Sequence, residues 1–402
     1  MSSGPTLAVD ENPATLIQDA PEGSGRLVSL DVFRGLTVAA MILANNGSGP
    51  TYAPLHHAEW NGWTPTDLIF PFFLFIVGVS ITFALSKRMA DPSGQRAVIF
   101  KIFRRSLVIF GLGLFLNKFP FYKDSWHEIQ DLDNWKAMAA SLRIPGVLQR
   151  IALCYLATSL IFVKTGIRGQ VLTIFGLLAG YWALMHYVPV PGFGAGDHAR
   201  GHDLGSYLDR LLMPGHIYKS DYDPEGLLST LPAIATTLLG VLVGHWLKSG
   251  RGRYELDSGL FVAGSALVVV GLSWGAVSPI NKALWTGSFV VLTGGLAMVG
   301  LATCYWLVDL QGYKRLFAPF RMFGANAIAA YTLAAIGARL LNKPYVIRAE
   351  GPAISVHHLY HSEILLQALN PYNASLAYAS SLLLACFLIV GLLDLLNIHI
   401  RA

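Results

Sequence analysis

Ten stretches of this chain, each about one bilayer crossing in length, run almost free of charge. They lie near 28–47, 66–86, 97–117, 144–163, 168–188, 225–247, 257–277, 285–307, 317–341 and 375–397. A helix needs about 20 apolar residues to cross the hydrocarbon core. Unbroken apolar runs, as opposed to periodic stripes, are what lipid around most of a helix demands. The composition agrees: 13% of the residues are charged, against roughly 25% in a soluble domain. The expected fold is therefore an all-α polytopic membrane protein of about ten transmembrane helices. Residues 1–25, rich in Ser, Pro, Gly and acids, read as a disordered cytoplasmic tail without a signal peptide. Residues 26–402 read as one transmembrane domain.

Charge sets the expected orientation. Sixteen of the 29 Lys and Arg residues crowd into alternate short links, at 26, 87–105, 164–168, 248–253, 314–321 and 401. The other links are longer, carry ten, and hold most of the acids, among them Asp124, Glu128, Asp131, Asp133 and Asp221. Short basic loops face the cytoplasm. Both termini are thus expected inside, with loops 48–65, 118–143, 189–224 and 342–374 outside. The same topology accounts for the net charge of +5, and no nucleic-acid partner is expected. Cys154, Cys304 and Cys386 each sit in an apolar run and read as packing residues.

Charged groups inside a span are costly and need a partner or a purpose. Asp31 and Arg34, three apart, share a helix face and can neutralise each other; alternatively Arg34 meets an anionic cofactor. Arg143 and Arg150 are seven apart and can point the same way. Asp67 opens the second span, where the helix dipole favours an acid. Ten of the twelve histidines fall at the expected outer face. His198 and His202, or His357, His358 and His361, have loose metal-ligand spacing; solvated interfacial histidines fit them as well, and no metal is expected. His57 lies in a short link beside Glu59-Trp60-Asn61-Gly62 and is a candidate general base. The amide of Asn45, at the end of the first span, can reach the same place.

These residues fall in a recognisable order. Arg26-Leu-x-Ser-Leu-Asp31-x-Phe-Arg34-Gly is followed by Asn45, His57-Ala-Glu-Trp-Asn-Gly-Trp63-Thr-x-x-Asp67, and Arg143-Ile-Pro-Gly-Val-Leu-Gln-Arg150. Tyr187-x-Pro-Val-Pro-Gly192, Asp209-Arg-Leu, Tyr222-Asp-Pro-Glu-Gly226 and Pro279-x-Asn-Lys282-x-x-Trp285 complete the series. This pattern resembles the heparan-α-glucosaminide N-acetyltransferase family of transmembrane acyltransferases. The resemblance implies acetyl transfer from cytosolic acetyl-CoA to the amine of a terminal glucosamine across a membrane, by a homodimer. It implies His57 as the active histidine and Asn45 as the catalytic asparagine. Acceptor-side residues are then sought in its motifs, at Glu59, Trp60, Asn61, Trp63, Tyr222, Glu225, Asn281 and Lys282. The chain lacks the long luminal region, extra first span and luminal cysteines of the lysosomal members, which implies a bacterial inner-membrane member with His57 on the periplasmic side.

On this reading acetyl-CoA enters from inside, its phosphates against basic residues such as Arg34, Arg104, Arg105, Arg150 or Arg315. The positive-inside rule explains most of these residues equally well. His57 acts as base for the acceptor ammonium or carries the acetyl group itself. Asn45 donates to the developing oxyanion, and Asp67 or Glu59 orients the imidazole or holds the ammonium. Trp60, Trp63 and Tyr222 offer flat faces for a sugar, as interfacial aromatic belts also would. An amino-sugar transporter, or transfer to another envelope glycan, are the alternatives.

Overall fold

The computed structural model describes residues 27–89, 95–122, 129–346, 353–396 and 398. The expected tail at 1–25, Arg26, Asp124, His127, Glu128 and Arg401 lie outside the described residues, as do the side chains of Lys87 and Arg88.

The chain is helical, and among the described residues the only β pairing is two isolated bridges, Val190 with Gly194 and Val346 with Ile354. The first helices are α1 (Val28–Asn45), α2 (Ile69–Met89), α3 (Gln95–Lys118), α4 (Leu132–Ala140) and α5 (Val147–Lys164). There follow α6 (Ile167–Tyr187), α7 (Leu204–Leu212), α8 (Thr230–Leu247), α9 (Arg253–Gly275) and α10 (Gly287–Tyr305). The last are α11 (Ala318–Ala325), α12 (Ala327–Leu341), the short α13 (Leu366–Ala368) and α14 (Pro371–Leu395). Helices stand at all ten expected positions. Eight are long and apolar enough to cross a membrane, and the bent pair α11–α12 makes a ninth. The tenth, α3, is 24 residues long but carries Lys101, Arg104 and Arg105, and does not pass on apolarity.

The α11–α12 pair departs from the single span expected over 317–341. Its halves meet at 85° around Asn326, which is fully buried. Asparagine is a poor interior helix residue that suits caps, and here it closes one helix and opens the next. Broken helices inside membrane proteins persist where neighbours cover the freed backbone, and they line binding cavities.

At the centre stands α2, packed on α1, α3, α5, α8 and α10. Leu74, Phe75, Ile76, Val79 and Ile81 on α2 are buried. Two reciprocal glycine contacts let backbones touch. A methyl on Gly78 would lie 1.9 Å from the Thr237 carbonyl oxygen, and one on Gly240 2.0 Å from that of Phe75. On the other side, Gly35 and Gly324 would place theirs 1.8 and 1.7 Å from the carbonyl oxygens of Phe320 and Asp31. Small residues at such crossings are the usual glue of membrane helices. By contrast α6, α9 and α14 expose Leu172, Phe175, Val262, Val269, Leu384 and Leu388, the apolar surface that lipid would cover. The three cysteines are buried and unpaired.

Candidate active site

The bundle has a loop end, where the long links gather, and a basic end. At the loop end the turn Pro65–Leu68 precedes α2, and Thr64 and Asp67 form a capping box there. That box does more than start a helix. Asp67 is 1% exposed, and its Oδ2 accepts the backbone N–H of Ala58 at 3.0 Å and of Thr64 at 3.1 Å. With Oδ2 so occupied, Oδ1 faces His57 Nδ1 at 2.6 Å. An approach this close between two acceptors would be repulsive, so the proton sits on Nδ1. The other ring nitrogen, Nε2, is left for the cavity, and the His57 side chain is about half exposed.

A third group completes the cluster. Lys282 places Nζ 3.2 Å from Asp67 Oδ1 and 3.0 Å from His57 Nδ1. Burial pushes the Lys282 ammonium below the ordinary lysine range, while Asp67 pulls the other way. Its link is fastened from behind: Asn281 donates to Asn61 Oδ1 at 3.1 Å and accepts Leu284 N–H at 2.9 Å, and Gly62 N–H donates to Ile280 O at 2.8 Å. Asn61 and Asn281 thus hold the cluster together from outside the cavity wall.

The opposite wall is the segment 222–229, which three charged side chains clamp. Arg143 binds Asp223 through Nε at 2.9 Å and Nη2 at 2.6 Å, and also binds Glu225. Burial works against the Arg143 charge, but Asp223 and Glu225 outweigh it and hold its pKa above the ordinary arginine value. Arg150, fully buried, donates to Gly226 O at 2.8 Å and to Ser229, and lies 5.2 Å over the Trp285 ring. Arg143 and Arg150 therefore do point the same way, towards this one segment. Asp209 on α7 accepts Leu227 N–H at 2.9 Å, and burial pushes its pKa up to about 6.

Between the walls lies a cavity of about 750 Å³. Asn45, His57, Glu59, Trp60, Asp67, Tyr222, Glu225 and Lys282 all line it. No hydrogen bond holds the Asn45 side chain among the described residues. Trp60 donates from Nε1 to His198 O at 2.9 Å and meets Tyr222 edge to face at 5.4 Å. Trp63 is exposed and outside the lining. Sequence reasoning missed Arg200 and Lys219, which also line the cavity. Arg200 pairs with Asp221 at 3.0 Å and stacks 4.6 Å over Tyr222. In the sequence, only Lys219 lies close to the Tyr222 motif, and Arg200 sits 22 residues before it.

A second cavity of about 420 Å³ opens at the basic end. Arg34 and Arg105 line it; Arg104 and Arg315 are exposed and line neither cavity, and Arg150 is packed elsewhere. Arg34 pairs with Asp31 at 2.8 Å and reaches Ser80 Oγ at 2.8 Å and Gly324 O at 3.1 Å. Arg105 lies 4.9 Å over Tyr155. The two cavities share Phe73, Leu148, Ile151, Ala327 and Ile328. These shared apolar side chains form a common boundary between the two cavities.

Several other outer histidines make local contacts of their own. His202 bonds Asp197 at 2.8 Å, His186 and His198 rings lie 4.8 Å apart, and His357 stacks on His361 at 5.6 Å. Among the described residues no three His, Cys, Asp or Glu side chains converge as metal ligands would.

Fold and site together define an integral membrane protein with a cavity-facing histidine held by a buried carboxylate and a second cavity at the basic end. A sequence model of the heparan-alpha-glucosaminide N-acetyltransferase catalytic region matches residues 26–273. The mouse heparan-alpha-glucosaminide N-acetyltransferase is 30% identical over 381 residues, 81% of this chain and 55% of the relative. The human protein of that name is 30% identical over 363 residues, 76% of this chain and 52% of the relative. The chain thus spans about half the length of these curated relatives. It belongs to the heparan-α-glucosaminide N-acetyltransferase family.

Proposed function

We propose that this protein transfers acetyl from acetyl-CoA, taken up at the basic end, to the amine of a terminal glucosamine or related amino sugar at the loop end. One observation carries the reading: two cavities share one apolar boundary inside the bundle, with the His57–Asp67 pair in the first and Arg34 and Arg105 in the second. A donor and acceptor separated by about 30 Å of hydrocarbon need a path across such a boundary. The basic end faces the cytoplasm by the positive-inside rule, which puts His57 on the far side, the periplasm of a bacterial inner membrane.

Arg34 and Arg105 fit donor phosphates, and the apolar boundary fits the thin pantetheine arm. An acceptor ammonium has no lone pair, so it must first lose a proton. His57 takes that proton at Nε2, with Asp67 fixing the ring through Nδ1. The amine nitrogen then bonds to the carbonyl carbon, the C–S bond breaks, and the thiolate takes up a proton to leave as the thiol. One further proton is released to solvent. Asn45 donates to the carbonyl oxygen as its charge grows. A loop-end cavity of about 750 Å³ has room for the end of the donor arm and a sugar side by side, which favours direct transfer over an acetylated His57. Glu59 and Glu225 lie on the lining as partners for the ammonium, with Trp60 and Tyr222 beside the ring. Residues 26–402 then act as one catalytic domain, and the homodimer rests on the family resemblance alone.

Proteoliposomes test the reading. Labelled acetyl-CoA supplied at the basic face should yield N-acetylated amino sugar at the other. Uptake of unmodified sugar without acetyl-CoA would instead make the protein a transporter, and a product on hydroxyl acceptors only would move the activity to another glycan.

A further inference from the structure

Lys282 lines the reaction cavity, yet its ammonium is turned away from any acceptor and into the His57–Asp67 pair. We propose that Lys282 is a positioning residue that keeps His57 neutral, with Nδ1–H on Asp67 and Nε2 bare, so that the ring can serve as a base. The inference rests on the role given to His57 above.

Three contacts carry it. Asp67 Oδ2 is filled by the backbone donors of Ala58 and Thr64, so Oδ1 alone serves both His57 and Lys282. Because Nδ1 carries the proton that bridges to Oδ1, it cannot also accept from Lys282; the 3.0 Å approach of Nζ is charge against ring, not a hydrogen bond. Finally, a carboxylate alone beside an imidazole favours the imidazolium, which has no lone pair to offer. An ammonium 3.0 Å from the same ring nitrogen opposes the second proton. With Lys282 the cluster is neutral before the acceptor is deprotonated and cationic only afterwards, so the proton is taken and then readily given up.

Other charged and titratable groups face the ring. His56 and Glu59 come from its own link; Arg143, Arg200, Lys219 and Glu225 lie across the cavity. Tyr218, Tyr222 and Tyr331 complete the set on those walls. All of them remain when position 282 alone is changed, and so cancel in a comparison of variants.

The experiment uses the full-length protein and the variants Lys282→Met, Lys282→Gln and Lys282→Arg. The first readout is the pH profile of kcat/KM. Met and Gln should move its acid limb up by about one pH unit or more, with rate regained at alkaline pH, and Arg should leave the limb in place. The second readout needs no turnover. Diethyl pyrocarbonate acylates neutral imidazole, and peptide mass spectrometry can follow its rate at His57 against pH. The midpoint should rise in the Met and Gln variants by the same amount. An unmoved midpoint and acid limb, with rate lost equally at all pH or acceptor KM raised alone, would overturn the proposal and leave Lys282 a structural or acceptor-binding group. If the wild type transfers no acetyl group, the reading of function fails, while the modification midpoint still decides the role of Lys282.

Discussion

The two ends of the bundle are built by different means. At the loop end, side chains from segments far apart in sequence are tied by hydrogen bonds: Asp67 to His57 and Lys282, Arg143 to Asp223, Arg150 to Gly226, Asp209 to Leu227. At the basic end the walls are helix surfaces brought close by Gly35 and Gly324, with Asp31, Arg34 and Ser80 the main polar contacts. A reacting centre has to be held within a fraction of an ångström, because misplacement of about 1 Å can cost 10²-fold in rate. A mouth that admits a long flexible donor needs charge more than position. The contrast predicts that changes at the loop end act on kcat, and changes at the basic end act on the KM of the donor.

The largest effect should come from the ring itself. His57→Ala is expected to lower transfer by about 10²- to 10⁴-fold, with the protein still folded and in the membrane. Full activity would break the division of labour at once. Asn45→Ala should lower kcat by about 10²- to 10³-fold while donor affinity stays nearly constant; a pure binding defect would remove it from the oxyanion role. At the other end, Arg105→Gln should raise the donor KM about tenfold or more, as the loss of a charged hydrogen bond worth roughly 1.5–3 kcal/mol implies. Arg104→Gln, one residue away on the outer face of α3, should leave it unchanged. Equal effects of the two would mean that bulk charge, not a site, draws the donor in.

How far these ends were legible in the sequence follows from the same contrast. At the loop end, His57, Asn45, Asp67, Trp60 and Tyr222 stood out through the motifs that hold them, although the helix dipole accounts for Asp67 and aromatic belts for Trp60 and Tyr222 as well; all five line the cavity. The basic end offered no such discrimination. Every short inner link is basic for topological reasons, and only helical phase separates Arg105, over Tyr155, from Arg104. The break at Asn326 was hidden because its signals, Gly324 and Asn326 itself, sit in an Ala-rich apolar run of the kind that membrane helices tolerate. Arg200 and Lys219 reach the cavity through the folding of the 189–224 link, a long-range event that local pattern does not record.

The smallest expected effect concerns the clamp behind the site. Asp209 is 2% exposed and accepts Leu227 N–H through one oxygen. Its pKa, raised to about 6 by burial and by Asp223 against the opposing Leu227 bond and Arg150, lies well above the ordinary carboxylate value of 3.8. The folded protein therefore holds a proton there that the unfolded chain has lost between about pH 4 and pH 6. Stability falls as pH rises through that window and levels off above it, by about 3 kcal/mol at most. Asp209→Asn keeps an acceptor for Leu227 and cannot ionise. Compared with the wild type, it should be more thermostable at pH 7, with the advantage shrinking to nothing near pH 4. Thermal melts in detergent across pH 4–8 measure this directly. A constant difference at all pH would mean that Asp209 is charged in the folded state and that Arg150 is its counter-ion. The hold of Asp209 on Leu227 would then be electrostatic, like that of Arg143 on Asp223 and Glu225.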